Sequence, residues 1–382
     1  MRATLISCLC SLCPLLLSAG QPPLQQVLPE PLPDPYVFGW SGEWTISGTG
    51  RFFYHGPALR PEAMKREELQ LLYDDPAVRP GQGIWGFIPY RHRDGSWHGY
   101  ATLHYGEFRT VVAHFLPEAG ATWHKGRPIA RWRFDKILVG DLTAGKATAY
   151  ESKMVTDEAG ALYLVYSASP AAKQNVHIWA QRMLDPGRTD PSWTPRSLLD
   201  PEGYRSEDRN PGFIQIVEGA NVVKIGSQYV LLYSVGDFVL NNYKLGVAYS
   251  DQMVPPSGRT YRKVLIPDPQ NLWKNAGKTN EVCYLLQSEQ PHWPNYCRAL
   301  VSGPGLGNIV AVGREHWLVF HGYKPEDKTH KARNRCVWAF PLRVNIDESR
   351  PMQEWLRPDF GRPAALPLSK PPPAAVDRKT SP

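Results

Sequence analysis

The sequence lacks the features that mark several classes of protein. It has no run of five to eight consecutive Lys or Arg residues, and its 43 basic residues are scattered among 36 acidic ones. Nucleic-acid binding is therefore not expected. The formal charge of +7 leaves an acidic polysaccharide open as a partner.

Cysteine is scarce after the N-terminal segment. Cys283, Cys297 and Cys336 have no CxxC or HxxxH motif beside them, so no metal site is predicted from these thiols. In an oxidising compartment we expect Cys283 to pair with Cys297, and Cys336 to be a buried strand residue.

No apolar run is long enough to span a bilayer comfortably. Residues 1–20 contain one Arg, an apolar run over 3–19 and small residues at 18–20, which is typical of a signal peptide. We expect a secreted or periplasmic protein without a membrane span, and Cys13 leaves lipid attachment as an alternative. The sequence predicts no oligomeric state.

Helix signals are few, whereas 13 Trp, 18 Tyr, 12 Phe, 32 Gly and 37 Pro favour many short strands joined by tight turns. A Pro-rich lead (21–33) and a Pro-rich tail (351–382) are not expected to bury enough apolar surface to become ordered. The folded core is therefore predicted over 34–350.

Within that core one pattern recurs, in which two apolar runs flank a turn containing glycine. It occurs five times, at 34–56, 84–106, 149–169, 217–236 and 303–323. Five hairpins with long connectors predict an all-β fold, a five-bladed β-propeller, whose first strands begin around one central funnel.

Three of these five segments carry an acid at the head: Asp34, Glu151 and Glu218. Singly, each acid could be a turn or strand-end residue; together, at one place in a repeat, they indicate a site. Glycosidic bonds are cleaved by paired carboxylates, and a third carboxylate nearby raises the pKa of the acid. Asp75, in a second DPxV string, is the runner-up to Asp34.

Aromatic residues near the blade heads are candidates for stacking on sugar rings. Trp85, Phe87 and Tyr150 are the predicted substrate-binding residues, and Trp40 is a further candidate. The alternative for each is packing between blades. His104, His321 and His330 could also line the pocket or be ordinary strand and loop residues.

The chain resembles glycoside hydrolase family 43 over residues 33 to 345, in "DPYV", "YESKM", "VEGA", "IWGFIPY", "NNYKLGVAYSD" and "GPGLGNIV". The resemblance implies a five-bladed propeller that inverts the anomeric centre of arabinose-, xylose- or galactose-containing glycans. It implies Asp34 as general base, Glu151 as the acid that tunes the pKa, Glu218 as general acid, and Arg335 in the pocket wall.

The sequence departs from the family pattern at several positions. Glu151 replaces the usual Asp, Ala220 follows "EG" in place of Pro, and Leu306 stands where the family has the His of "GPGH". The resemblance implies no required cofactor, and a central Ca²⁺ is doubtful because an apolar side chain cannot ligate a cation. The leading hypothesis is a glycosidase; the alternatives are a glycan-binding propeller without catalysis and a retaining enzyme.

Overall fold

A computed structural model describes most of the chain. The described residues are 24–106, 109–119, 123–128, 130–141, 148–169, 174–204, 207, 214–240, 242–267, 279–288, 301–312, 314–327 and 329–359. The predicted signal peptide, Cys297 and residues 360–382 lie outside these ranges, and with them the predicted disulfide.

The described chain forms five sheets arranged as the blades of a propeller, which confirms the predicted fold class. Strand pairing in the blades is antiparallel except between Gln70–Leu72 and Arg131–Val139. Blade 1 contains the strands Tyr36–Trp40, Glu43–Ser47, Phe52–Gly56 and Lys65–Glu68. Blade 2 contains Ile84–Arg91, Trp97–His104, Thr110–Pro117 and Arg131–Val139, with Gln70–Leu72 on its outer edge. Blade 3 contains Thr148–Thr156, Leu162–Ser169, His177–Asp185, Arg188–Thr189 and Arg196–Leu199.

Blades 4 and 5 complete the ring. Blade 4 contains Val217–Ile225, Gln228–Val235, Lys244–Ser250, Arg262–Lys263 and Leu286–Gln287. Blade 5 contains Ser302–Val312, Glu315–Tyr323 and Cys336–Val344, with Gln25–Gln26 and Leu356–Pro358 on its outer edge. Two small hairpins lie outside the blades, Trp123–His124 with Arg127–Pro128 and Leu265–Pro267 with Asn280–Val282.

Helix in the described ranges is limited to short 3-10 turns at Pro61–Ala63, Pro76–Val78, Phe238–Leu240, Ala332–Asn334 and Met352–Glu354. None of these is long or apolar enough to cross a bilayer.

The apolar side chains of adjacent blades form the core. Each pair of neighbouring blades shares one cluster, for example Phe53 of blade 1 with Phe87 and Trp132 of blade 2. Blades 5 and 1 share Trp317, Ile46 and their neighbours. The ring is therefore closed by the same kind of packing that joins the other blades.

The Pro-rich lead is ordered where the structure describes it, contrary to the prediction from composition. The N–H of Val27 donates to the carbonyl of Val337 (2.8 Å), and Gln25–Gln26 pairs with Trp338 and Ala339. Pairing with an existing strand supplies the burial that the lead cannot provide alone: Val27 and Leu28 are fully buried. The last blade likewise extends past 350, since Leu356–Pro358 pairs with Cys336–Val344.

The axis of the propeller is surrounded by one structurally equivalent position from each blade, called the axial position below. In blades 2 to 5 it lies in a bulge of the first strand, and in blade 1 it lies two residues before that strand. The five axial residues all have positive φ: Asp34 (56°), Gly86 (57°), Glu151 (51°), Gly219 (69°) and Leu306 (49°).

Each axial N–H donates to a side chain of the preceding blade. The acceptors of Asp34, Gly86, Glu151, Gly219 and Leu306 are, in that order, His321, Thr49, Thr102, Ser167 and Ser234, at 2.8–3.1 Å. A positive φ at a residue other than glycine costs ~1–3 kcal/mol and persists only where its surroundings impose it. Three such residues at one axis mark this end of the propeller as a candidate site.

Candidate active site

A cavity of about 440 Å³ opens beside the axis. The residues directly before the axial positions of blades 2, 3 and 4 are Trp85, Tyr150 and Glu218, and all three line it. His104 packs against Trp85 in a tilted arrangement, with ring centroids 4.4 Å apart, and also lines the cavity. The cavity thus combines two carboxylates, Glu218 and Asp237, with aromatic walls suited to the C–H faces of sugars.

Glu218 is held by two tyrosines. Its Oε2 accepts a hydrogen bond from the hydroxyl of Tyr150 (2.7 Å), and its Oε1 accepts one from the hydroxyl of Tyr243 (2.6 Å). Burial, followed by the charges of Glu218 and Glu151, raises the pKa of Tyr243 well above its usual value, so that this hydroxyl stays a donor. Both oxygens of Glu218 therefore have a fixed orientation.

Asp34 lies across the axis from Glu218 and is surrounded by polar side chains. Its Oδ2 accepts from the hydroxyl of Thr49 (2.5 Å), and its Oδ1 lies 3.0 Å from Nη1 of Arg335. The ring of His321 lies 3.4 Å from the same oxygen. Arg335 also stacks on the ring of Phe238, a residue of the cavity wall, at 4.7 Å. Arg335 therefore joins Asp34 to the cavity.

Glu151 lies at the axis with one carboxylate oxygen buried. This oxygen, Oε2, has no hydrogen-bond partner among the described residues. Burial, and then the charges of Glu218 and Asp34, raise the pKa of Glu151 well above the ordinary range. The three carboxylates therefore interact electrostatically.

Lys153 is a charged residue of this site that the sequence analysis missed. It follows Glu151 by two residues, at the end of the bulge in the first strand of blade 3. Its buried Nζ has no hydrogen-bond partner in the described ranges and lies 5.8 Å from the ring centre of Tyr36. Burial lowers the pKa of Lys153 to about 8, and the charges of Glu151 and Asp34 oppose that shift.

The axial residues do not suit a divalent cation at the centre. Leu306 is buried, and its Cδ2 would lie 2.0 Å from a Cβ built on Gly219. The same Cβ would lie 3.4 Å from Oε2 of Glu151, so an apolar side chain packs against Gly219 close to that carboxylate. Such a side chain cannot ligate a cation, and no chemical step is assigned to a central metal.

The predicted site residues separate into two groups. Asp34, Glu151, Glu218, Trp85, Tyr150 and Arg335 lie at or beside the axis or the cavity. Phe87 does not, because its fully buried ring packs against Trp132 (5.1 Å) and Phe115 (6.2 Å) between blades. It is a core residue and cannot contact a substrate in this conformation.

The three acids do not occupy the same place in the repeat, as the sequence pattern had suggested. Asp34 and Glu151 are axial, whereas Glu218 precedes the axial Gly219 and is equivalent to Trp85 and Tyr150. One residue along a strand turns the side chain to the other face, so Glu218 lines the cavity. Asp34 and Glu151 are not among its described lining residues.

No family model and no curated protein matches the sequence. Solved structures do match. A thermostable family-43 glycoside hydrolase superposes with a TM-score of 0.61 at 15% identity, covering 90% of this chain and 98% of that one. An α-L-arabinofuranosidase from Lactobacillus brevis superposes with a TM-score of 0.60 at 18% identity, covering 88% of this chain and 95% of that one. An α-L-arabinanase from Cellvibrio cellulosa superposes with a TM-score of 0.58 at 15% identity, covering 88% of this chain and 96% of that one. The chain therefore has the five-bladed fold of family 43 glycoside hydrolases, in a divergent form.

Proposed function

We propose that the protein is a secreted glycoside hydrolase that inverts the anomeric centre of its substrate. The observation that carries the proposal is that Asp34 and Glu151 occupy axial positions at one end of a propeller, while Glu218 directly precedes the axial Gly219 and lines an aromatic cavity. Two carboxyl groups suffice for glycoside hydrolysis, and a third tunes their protonation.

In this mechanism Glu218 protonates the leaving oxygen, and Asp34 activates a water molecule on the opposite face of the sugar. Burial and the charges of Glu218 and Asp34 raise the pKa of Glu151, which supports a proton held beside Glu218, as a general acid requires. Arg335 and Thr49 orient the carboxylate of Asp34. Inversion predicts a distance of roughly 6.5–9.5 Å between the two acting carboxyl groups, against about 5–5.5 Å in retaining enzymes.

The substrate class is proposed from the similar structures. Their descriptions include α-L-arabinofuranosidase, α-L-arabinanase and xylan β-1,4-xylosidase. We therefore expect arabinose- or xylose-containing plant-type glycans, bound against Trp85 and Tyr150. The sequence resemblance to family 43 adds galactose-containing glycans.

One observation favours a second function, glycan binding without catalysis. Asp34 is only 10% exposed, is already contacted by Arg335, and is not among the described lining residues of the cavity. A general base must contact a water molecule. If Asp34 remains inaccessible to water, the protein would bind glycans without cleaving them.

Sugar release separates the two functions. The protein is incubated with aryl α-L-arabinofuranosides, β-D-xylosides, galactosides and plant polysaccharides. NMR then identifies which anomer of the product sugar is released first. The proposal predicts release with inverted configuration. A retained configuration contradicts the mechanism, and binding without release assigns the second function.

A further inference from the structure

A second cluster of ionisable side chains lies in blade 1, away from the axis. Glu43 begins the second strand, directly after the turn at Ser41 and Gly42, and His55 lies on the third strand. His124 comes from the hairpin Trp123–Pro128, which blade 2 inserts between its third and fourth strands. Because Asp34 precedes the opposite end of the first strand, this cluster belongs to the other face of the propeller.

The three side chains converge on one point. Nε2 of His124 lies 2.8 Å from Oε2 of Glu43, and Nδ1 of His55 lies 3.4 Å from the same oxygen. One ligand atom from each residue falls within 4.8 Å of the others. Zinc binds nitrogen and oxygen at roughly 2.0–2.2 Å, which places ligand atoms of a tetrahedral site about 3.3–3.6 Å apart. Small movements would bring the cluster to that geometry.

The burial of His55 is not explained by hydrogen bonding. It is only 3% exposed, and neither of its ring nitrogens has a hydrogen-bond partner in the described part of the chain. A buried nitrogen without a hydrogen bond calls for an explanation, such as an additional binding partner. While Nδ1 faces Glu43, Nε2 lies 3.5 Å from Oε1 of Glu67. Metal-bound histidines usually present their second nitrogen to a carboxylate in this way.

Two cations also contact Glu43. Nζ of Lys125 lies 2.9 Å from Oε1, and Nη2 of Arg127 lies 3.9 Å from Oε2. Lys125 is 45% exposed and holds the oxygen that points away from the imidazoles. These ion pairs account for part of the charge on Glu43, but they give His55 no partner.

We propose that Glu43, His55 and His124 bind a divalent transition metal of the zinc type. Two neutral imidazoles and one carboxylate suit such an ion, and three protein ligands leave a fourth position for water. The ion would link blade 1 to the inserted hairpin. That hairpin already receives hydrogen bonds from the indoles of Trp40, to the carbonyl of Lys125 (2.9 Å), and Trp97, to the carbonyl of Gly126 (3.0 Å).

Metal titration of the full chain tests this site. After chelator treatment the protein is titrated with Zn²⁺ by calorimetry and with Co²⁺ by visible absorption, and its thermal unfolding is followed with and without Zn²⁺. We expect about one bound ion and a higher unfolding temperature with zinc. His124→Gln and His55→Gln should weaken binding at least roughly tenfold, in line with the loss of a ligand.

His316→Gln is the matched control, since it removes a half-buried histidine of blade 5 outside the cluster. If His55→Gln fails to fold, the partly exposed His124 still provides the test. Equal binding by wild type and His124→Gln, or no binding by the wild type, would overturn the proposal and leave an ion-pair cluster around Glu43.

Discussion

The hydroxyl of Tyr243 donates a 2.6 Å hydrogen bond to Oε1 of Glu218. Tyr243 lies just before the third strand of blade 4, and its ring stacks on His321 with centroids 5.9 Å apart. His321 in turn contacts Asp34. The proposed acid and base are thus joined through two buried rings, and predictions about either one involve Tyr243.

Tyr243→Phe removes the donor and leaves the ring in place. A hydrogen bond to a charged group contributes ~1.5–3 kcal/mol, so we expect kcat to fall roughly 10- to 100-fold with little change in KM. Tyr261→Phe is the control, because it removes another buried hydroxyl whose acceptor is the carbonyl of Met253. An unchanged kcat in Tyr243→Phe would show that this contact does not orient the acid.

Lys153→Met should change the pH profile of activity. The ammonium lowers the pKa of Glu151, so its removal raises that pKa further and moves the alkaline limb of the kcat profile, where the proton needed by the general acid is lost, to higher pH. Since the pKa of Lys153 is itself about 8, the profiles should converge above that pH, where the wild-type lysine is neutral. Lys224→Met, which removes a lysine over the ring of Tyr229, is the control. Identical limbs in Lys153→Met and wild type contradict the assignment.

Gly219→Ala tests the packing of the axis. The new methyl group would meet Leu306 Cδ2, and the backbone at φ 69° disfavours a side chain. We expect a loss of ~2–4 kcal/mol in the free energy of unfolding, measured with urea. Leu306→Ala in the same protein makes room for the methyl group, so the double variant should be more stable than the sum of the single changes predicts. Strict additivity would show that the two positions are not in contact.

Stability should fall between pH 6.5 and 4. Burial, and then the charges of His114 and His92, lower the pKa of His98 from 6.5 to about 4. The unfolded chain therefore binds more protons than the folded chain in this window. The contribution of neutral His98 to the free energy of unfolding is complete above pH 6.5 and is lost as the pH falls towards 4. Because His98 is only half-buried, solvent screening keeps the loss below the ~3.5 kcal/mol that ~1.4 kcal/mol per pKa unit would give. Urea unfolding of His98→Gln at pH 7 and 4.5 should show a smaller pH effect than wild type, and an equal effect would contradict the assignment.

The hairpins could be predicted because alternating apolar runs around glycine turns are local features of the chain. The offset of Glu218 from the axial position could not, because a bulge inserts one residue without changing the apolar pattern. Tyr243 lies outside the blade heads, so the repeated sequence pattern does not identify it as a site residue. The ordered conformation of the Pro-rich lead could not be predicted, because its partner strand, Cys336–Val344, lies at the other end of the chain.

The proposed role of Glu218 is tested most directly by sugar release from the glycoside panel, with Glu218→Gln beside wild type and Tyr261→Phe. The amide keeps the shape of the carboxyl group but cannot protonate a leaving group. We predict release by wild type and Tyr261→Phe, and a loss of at least ~100-fold in Glu218→Gln. Equal release by Glu218→Gln and wild type would contradict the account.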